Sequence, residues 1–178
     1  ISGGFDLTLY RQLVGAANRF KEGDEIAGIA AANDESRMFA QELIANTVLK
    51  DVFQTPLFQD AQYDLIQQST VANPQVMAMT FGELRAFLLY KSEDDIKAIM
   101  PALSSDIIAM VVKLMSNNEL IAVSSKVFNP LPNSQIGSKG YMSARVQPNS
   151  PTDDIEDIIW QVFDAWSFGV GDLVLGTN

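Results

Sequence analysis

The spacing of apolar residues changes once along this chain, and that change constrains the fold more than any other feature. Up to about residue 127, apolar residues recur at helical period behind residues that commonly cap helices. Residues 141–147 instead alternate between apolar and polar side chains, which is the period of a β-strand. The sequence therefore predicts a helical domain followed by the beginning of a sheet.

Cap signals divide residues 1–127 into a series of short helices. Thr80 and Glu83 have the spacing of a capping box and predict a helix over residues 81–91. Ser92 comes directly before three acidic residues, which favour the positive end of a following helix. Asn33 and Asp34 open another helix. This region is predicted to be an all-helical domain.

Three further helices are predicted in the same region. Two of them cover residues 7–20 and 25–32, with Gly23 and Asp24 separating them. The third follows Ser104 or Ser105 and contains the strongly apolar residues 107–115, which we expect to be buried on most sides.

Residues 128–140 are the best candidate for a linker. They read FNPLPNSQIGSKG, with two Pro, two Gly and no helical period. The predicted organisation is therefore a helical domain at 1–127, a linker at 128–140 and a further structural unit at 141–178.

That further unit reads as strand, helix, strand. Pro148 ends the strand at 141–147, Thr152 or Asp153 caps the helix, and Gly169 and Gly171 stop it before a short hydrophobic strand at 173–176. The number of residues between the two predicted strands fits a crossover connection between parallel strands. A parallel sheet needs several strands and cover on both faces, so we expect the parent protein to contain more chain. The helix carries an apolar face predicted to pack on the sheet, formed by Ile155, Ile158, Ile159, Val162, Phe163 and Trp166.

The composition excludes several classes of function. The chain contains no cysteine and no histidine, which removes disulfides, thiolate nucleophiles and imidazole bases or ligands. A net charge of −10 without a basic stripe disfavours nucleic acid and anionic membranes as partners. No apolar run approaches the roughly 20 residues that cross a bilayer. The first residues lack the pattern of a signal peptide, which favours the cytoplasm.

Polar residues at the predicted strand ends are the best candidates for a binding site. Arg145 and Gln147 share one strand face, and Asn178 follows the next strand. In barrels and open sheets the carboxyl ends of parallel strands hold the active site. A guanidinium and two amides suit a small molecule with hydroxyl or amine groups. The alternative is structural, with Arg145 reaching solvent or pairing with a carboxylate and Asn178 merely ending its strand.

Two weaker motifs favour structural interpretations. An acidic cluster could suggest a metal site, but acids suit the positive end of the predicted helix. Gly169 and Gly171 give only G-x-G without a following helix, so they favour a helix end over a dinucleotide site. The cluster comprises Asp153, Asp154, Glu156 and Asp157.

Several motifs also resemble one known family. SARVQPN at 143–149 and SFGVGDLVLGTN at 167–178 resemble the start of the barrel of the ethanolamine ammonia-lyase large subunit. GDEIAGIAAA at 23–32 and LSSDIIAMVVKLMSNNELI at 103–121 resemble its amino-terminal helical domain. The resemblance implies a mainly α domain followed by the first β-α-β unit of a TIM-type (β/α)8 barrel, with the barrel incomplete in this chain.

The resemblance also implies a function. Adenosylcobalamin-dependent enzymes of this family convert ethanolamine to acetaldehyde and ammonia by radical chemistry, in which the cofactor performs the difficult step. Arg145 is then a substrate ligand at the hydroxyl group, and Gln147 and Asn178 lie near the hydroxyl or amino end. No catalytic residue, cobalamin contact or metal ligand is assigned to this chain.

The implied partners are a small subunit and further copies of the large subunit, in the cytoplasm or in a bacterial microcompartment. The 178-residue chain alone is expected to be inactive and to associate through its open sheet edge. The alternative is a non-catalytic helical module for assembly, with a vestigial barrel start.

Overall fold

A computed structural model describes residues 6–55, 60–141, 147–150 and 154–170. The chain divides into two compact units, Ile1–Val127 and Phe128–Asn178. The described part of the first unit, called unit 1, consists of short α-helices and one 3-10 helix. The described part of the second, called unit 2, consists of turns followed by one long amphipathic helix.

The helices of unit 1 follow one another with short connections. Their bounds are α1 Leu7–Ala16, α2 Glu22–Ile26, α3 Asp34–Ala45, α4 Leu49–Gln54, α5 Ala61–Ser69, α6 Pro74–Met77, α7 Phe81–Tyr90, α8 Glu93–Ile99, the 3-10 helix Met100–Ala102, α9 Ser105–Lys113 and α10 Asn117–Ser124.

The predicted caps of α3, α7, α8 and α9 are confirmed. The side chains of Asn33, Thr80, Ser92 and Ser104 each accept a hydrogen bond from a backbone N–H in the first turn of their helix. At α7 the Glu83 N–H donates to Thr80 Oγ1 at 3.1 Å, and the Thr80 N–H donates to the Glu83 carboxylate at 2.8 Å. These bonds satisfy donors that have no partner within the helix.

The predicted boundary at Gly23 and Asp24 is wrong. Both residues lie inside α2, which begins at Glu22 and ends at Ile26, whereas α1 already ends at Ala16. Gly28 follows the end of α2 by two residues, and its φ of 69° is left-handed and therefore favours glycine. Acidic side chains in the first turn suit the positive end of α2, which offsets the cost of a helical glycine.

The apolar helix α9 is buried on one side rather than on most sides. Ile107, Met110 and Val111 are buried, but Ile108 and Val112 are 48% and 41% exposed. The helix is therefore amphipathic despite its nearly continuous apolar sequence.

The core of unit 1 forms around α7. Phe81 and Leu84 of α7 are fully buried against Ile44 of α3, Leu49 of α4 and Ile107 of α9. Burial of each such side chain contributes about 1.5–3 kcal/mol to the stability of the fold. An isolated antiparallel bridge between residues 48 and 80 joins the starts of α4 and α7. Helix α7 thus holds α3, α4 and α9 together.

Unit 2 begins with consecutive turns in the segment predicted to be a linker. The Leu131 N–H donates to the carbonyl of Ile136 at 3.0 Å. Gly137 has a φ of 83°, and a Cβ on it would lie 2.5 Å from the carbonyl oxygen of Asn129, so only glycine fits there. The Lys139 ammonium lies 6.0 Å from the centre of the Phe128 ring. This segment has defined structure of its own.

Helix α11, Ile155–Ser167, follows in unit 2. Its cap is Asp154 rather than Thr152 or Asp153, since the Asp154 carboxylate accepts from the N–H groups of Glu156 and Asp157. Gly169, with a φ of 75°, follows its end, as the prediction of a glycine stop requires.

The two predicted strands are not seen among the described residues. Tyr141 and Gln147 lie outside regular secondary structure, while 142–146 and 171–178, which hold most of both strands, lie outside the described residues. The helix of the predicted strand-helix-strand unit is present as α11. Among the helices described, none combines the length and hydropathy needed to span a membrane.

Candidate functional site

The candidate site includes Gln147, one of the three predicted substrate ligands. Its side chain is exposed, at the start of the described segment 147–150. The other two ligands predicted from the sequence, Arg145 and Asn178, lie outside the described residues. The description of the site therefore rests on Gln147 and on what holds its backbone.

The segment that follows Gln147 is hydrogen-bonded to α11 by one side chain. The Asn149 N–H donates to Gln161 Oε1 at 3.0 Å, and Gln161 Nε2 donates to the Asn149 carbonyl at 2.9 Å. Both polar groups of one peptide residue are thus satisfied by a single amide, as in a strand pair. We call this pair of bonds the Gln161 clamp.

A second contact anchors the same segment to the start of α11. Ser150 is buried, and its hydroxyl oxygen accepts the Asp154 N–H at 3.2 Å. Pro148 is buried as well. The segment therefore has fixed points on both sides of Asn149, while Gln147 stays exposed.

The acidic residues at the start of α11 serve as a helix cap. Asp154 Oδ1 accepts from the N–H of Glu156 at 2.9 Å and of Asp157 at 3.2 Å. Within the described ranges, no group of three or more potential metal-binding side chains is close enough together to hold an ion. This arrangement agrees with the helix-start interpretation of the described members of the cluster.

Within the part of the chain that the structure describes, one edge of the apolar face of α11 is covered and the rest is exposed. Ile158, Gln161 and Ala165 follow one another at i+3 and i+7 along the covered edge, and Ala165 is buried. Residues expected to pack on a sheet are exposed in the described structure, among them Ile155, at 73%, and Ile159, at 46%.

Three aromatic rings form part of the exposed face of α11. Trp160 and Phe163 have ring centroids 6.0 Å apart, and Phe163 meets Trp166 edge-on at 5.6 Å. All three side chains are at least half exposed, at 69%, 52% and 51% in chain order. We call Trp160, Phe163 and Trp166 the aromatic patch.

Sequence reasoning missed Gln161. Gln161 is half-buried between Ile158 and Ala165 on an otherwise apolar helix face, where a polar side chain is the exception. That position could have marked Gln161 as a candidate. Its hydrogen-bond partner, Asn149, lies twelve residues earlier in the chain, and no local sequence rule identifies it.

A concave region lies within unit 1, with a volume of about 1250 Å³. Its charged lining side chains already pair with one another or with a neighbouring residue. Arg85 Nη2 lies 2.6 Å from Glu119 Oε1, and Arg19 Nη2 donates to Asn117 Oδ1 at 2.8 Å. The Lys113 ammonium donates to Asn18 Oδ1. These contacts join α7, α9 and α10 to the segment after α1, which indicates a role in packing.

The electrostatics of this region agree with that role. Burial, and then the nearby Lys21, lower the pKa of Lys113, while Asp24 acts in the opposite direction. The pKa of Glu119 is lowered chiefly by the backbone N–H of Ser116, with further contributions from Arg85 and the Ser116 hydroxyl. The Nε atom of Arg85 is buried, and no described residue is its hydrogen-bond partner.

Together these observations define a mainly helical protein whose candidate site offers hydrogen-bonding amides. The family model described as ethanolamine ammonia lyase large subunit (EutB) matches residues 5–178. The chain belongs to this family.

Individual relatives agree with the family match. The ethanolamine ammonia-lyase large subunit of Escherichia coli (strain K12) is 34% identical over 178 aligned residues, which cover 94% of this chain. The protein of the same name from Salmonella typhimurium (strain LT2) is 33% identical over the same coverage. The chain spans 39% of the length of these curated relatives.

Proposed function

We propose that this chain is part of an adenosylcobalamin-dependent ethanolamine ammonia-lyase that converts ethanolamine to acetaldehyde and ammonia. The observation that carries the proposal is the family match over residues 5–178, which runs through all three candidate ligands. The helical region 1–127 is the amino-terminal domain in this proposal, and residues 141–178 begin a TIM-type catalytic barrel after the linker at 128–140.

Three side chains of this unit are proposed to bind the substrate. The Arg145 guanidinium donates hydrogen bonds to the hydroxyl oxygen of ethanolamine. Gln147 and Asn178 each offer an amide oxygen that accepts from the amino group and an amide N–H that donates to the hydroxyl. The exposure of Gln147 supports this role because its side chain is accessible, and the backbone two residues further on, at Asn149, is hydrogen-bonded to α11.

The chain's own residues suit the substrate better than the cofactor. Adenosylcobalamin, when bound, supplies the radical that removes a hydrogen atom from the substrate. The sequence has no histidine and no cysteine, so it offers no imidazole or thiolate to ligate cobalt. The proposed contribution of this chain is therefore to bind and orient ethanolamine.

The proposal includes an assembly. The name "large subunit" of the relatives supports association with a small subunit. We also propose further copies of the large subunit, and a location in the cytoplasm or in a bacterial microcompartment.

The test is an activity assay on the full-length parent protein, combined with its small subunit and adenosylcobalamin. We expect acetaldehyde to form from ethanolamine. No turnover of ethanolamine, or turnover only of another amino alcohol or of a diol, contradicts the proposal. An absence of turnover with every such compound favours the assembly module instead.

A variant pair tests the substrate ligands. Gln147→Ala is expected to lower kcat/KM about 5- to 30-fold, the effect of losing one or two hydrogen bonds. Gln135→Ala is the control, because Gln135 is also an exposed glutamine of unit 2 but lies in the turn segment. Equal kcat/KM values for the two variants would refute the role of Gln147.

A further inference from the structure

We propose that Gln161 is a positioning residue for substrate binding, acting through the backbone of the segment that carries Gln147. The inference rests on the proposed function, because it assigns a purpose to the clamp only if Gln147 contacts the substrate. Its structural basis is the pair of hydrogen bonds between the Gln161 amide and the two polar backbone groups of Asn149.

The clamp restrains the peptide in two respects. A single hydrogen bond would leave Asn149 free to rotate about that bond, but two bonds from one planar amide, at 3.0 and 2.9 Å, fix both its distance from α11 and its orientation. Asn149 lies two residues after Gln147, which is about 7 Å of extended chain.

The residue between them transmits the restraint. Pro148 has a fixed φ and limits the conformation of the residue before it, so Gln147 has few backbone conformations available once Asn149 is held. Ser150, on the other side of Asn149, accepts the Asp154 N–H and adds the second anchor. The Gln147 backbone is therefore restrained although its side chain is exposed.

Packing alone does not explain a glutamine at this position. An apolar side chain between Ile158 and Ala165 would bury more apolar surface on the covered edge of α11. A glutamine side chain also loses more conformational entropy than a leucine or isoleucine side chain when it is ordered. What Gln161 adds is control over the position of residues 147–150.

The main test replaces Gln161 with methionine, which has a similar length but makes neither hydrogen bond. In the full-length enzyme with its small subunit and adenosylcobalamin, Gln161→Met is expected to raise KM for ethanolamine about 5- to 30-fold, as the loss of two hydrogen bonds predicts. We expect kcat to change less than KM, because a displaced Gln147 weakens substrate and transition state alike.

The matched control is Glu156→Met, which places the same side chain on an exposed position of the same helix. Its KM should stay at the wild-type value. Equal KM values for the two variants would overturn the proposal, and so would a Gln161→Met variant that lost kcat with KM unchanged.

Gln161→Glu provides a second variant in case the methionine variant fails to fold. A carboxylate still accepts the Asn149 N–H but cannot donate to the Asn149 carbonyl. We expect a rise in KM, because the second carboxylate oxygen would face the Asn149 carbonyl oxygen, and two acceptors repel each other. A KM equal to that of the wild type would count against the proposal.

Hydrogen exchange at the Asn149 amide separates the clamp from the proposed function. In the wild-type protein this N–H should be protected, and in Gln161→Met it should exchange faster, whatever the protein catalyses. Rapid exchange in the wild type would overturn the clamp itself. A wild-type enzyme that leaves ethanolamine unchanged would refute the proposed function and the substrate role of Gln161, while exchange would still decide whether the clamp exists.

Discussion

Lys113 shows how one side chain links the packing of unit 1 to pH. Its ammonium donates to Asn18, and its backbone carbonyl accepts from Gln41 Nε2 at 2.7 Å. Burial is the largest cause that lowers its pKa from the ordinary value of 10.5. The charged form is therefore less favourable in the folded protein than in the unfolded chain.

This shift predicts a pH dependence of stability. Between the lowered pKa of Lys113 and 10.5, the unfolded chain binds more protons than the folded protein, so the free energy of unfolding should rise with pH across that interval. Lys113→Met should lack this contribution, which cannot exceed about 1.4 kcal/mol per pH unit for one proton. Urea denaturation of both proteins at a series of pH values measures the difference.

Tyr10 sets the upper limit of the pH range that is useful in that experiment. Burial, and then Asp106, raise the pKa of Tyr10 above its ordinary value of 10.0. The unfolded chain then releases a proton that the folded protein keeps, so this residue lowers stability as the pH rises beyond 10.0. The comparison therefore belongs below pH 10, and identical pH profiles for wild type and Lys113→Met would contradict the prediction.

Residue-level prediction from sequence succeeded where the interaction is local. Thr80 and Glu83 are three residues apart, so their reciprocal cap can be read from spacing. The bonds between Asn149 and Gln161 cross twelve residues, and no pattern of residue types identifies the partner. Local rules thus predicted the starts of α3, α7, α8 and α9, and tertiary structure was needed for the candidate site.

At the scale of elements, two glycines in neighbouring helices have opposite roles. A Cβ on Gly15 of α1 would lie 2.7 Å from Ile29 Cβ, closer than two such atoms can approach. No atom of the described residues lies within 4 Å of a Cβ built on Gly23 of α2. Gly15 therefore allows a close approach to the segment after α2, whereas Gly23 has no steric requirement.

The two glycines predict opposite changes in stability. Gly15→Ala should destabilise unit 1 by about 1–3 kcal/mol, because the added methyl forces the packing apart. Gly23→Ala should stabilise it by up to about 1 kcal/mol, since alanine loses less backbone entropy in a helix. Urea denaturation of the full chain, followed by circular dichroism at helical wavelengths, measures both. A stabilising Gly15→Ala would show that Ile29 moves aside easily.

The sequence did not predict how much of a helix is exposed, because the helices packed against it decide that. The apolar run in α9 indicated burial on most sides, yet Ile108 and Val112 face solvent because the helices packed on α9 cover only one side of it. The predicted position of α2 is wrong because Gly23 lies inside the helix, whereas the left-handed backbone occurs at Gly28. Composition does not show which glycine adopts that conformation.

At the scale of the whole molecule, the helical character of residues 1–127 could be predicted from the cap signals and the helical period. The predicted strands stay predictions, since most of their residues lie outside those described. The exposure of the aromatic patch could not be predicted, because the apolar period of α11 indicates a buried face without indicating what covers it.

That exposure predicts self-association of the 178-residue chain when it is prepared alone. Three exposed rings beside Ile155 and Ile159 form an apolar surface of the kind that proteins bury in contacts. The net charge of −10 opposes association at low ionic strength, so association should strengthen as salt screens the repulsion. Sedimentation at several protein and salt concentrations measures this.

Phe163→Glu tests whether the aromatic patch is the contact. Phe163 touches both tryptophans, so a charge at its position should disrupt the patch and shift the chain towards monomer at every salt concentration. Phe20→Glu is the control, because Phe20 is 72% exposed but lies in unit 1. Both variants add one negative charge, so repulsion alone would weaken association equally in the two. A larger effect of Phe163→Glu therefore locates the contact on α11, and equal effects would assign the change to charge.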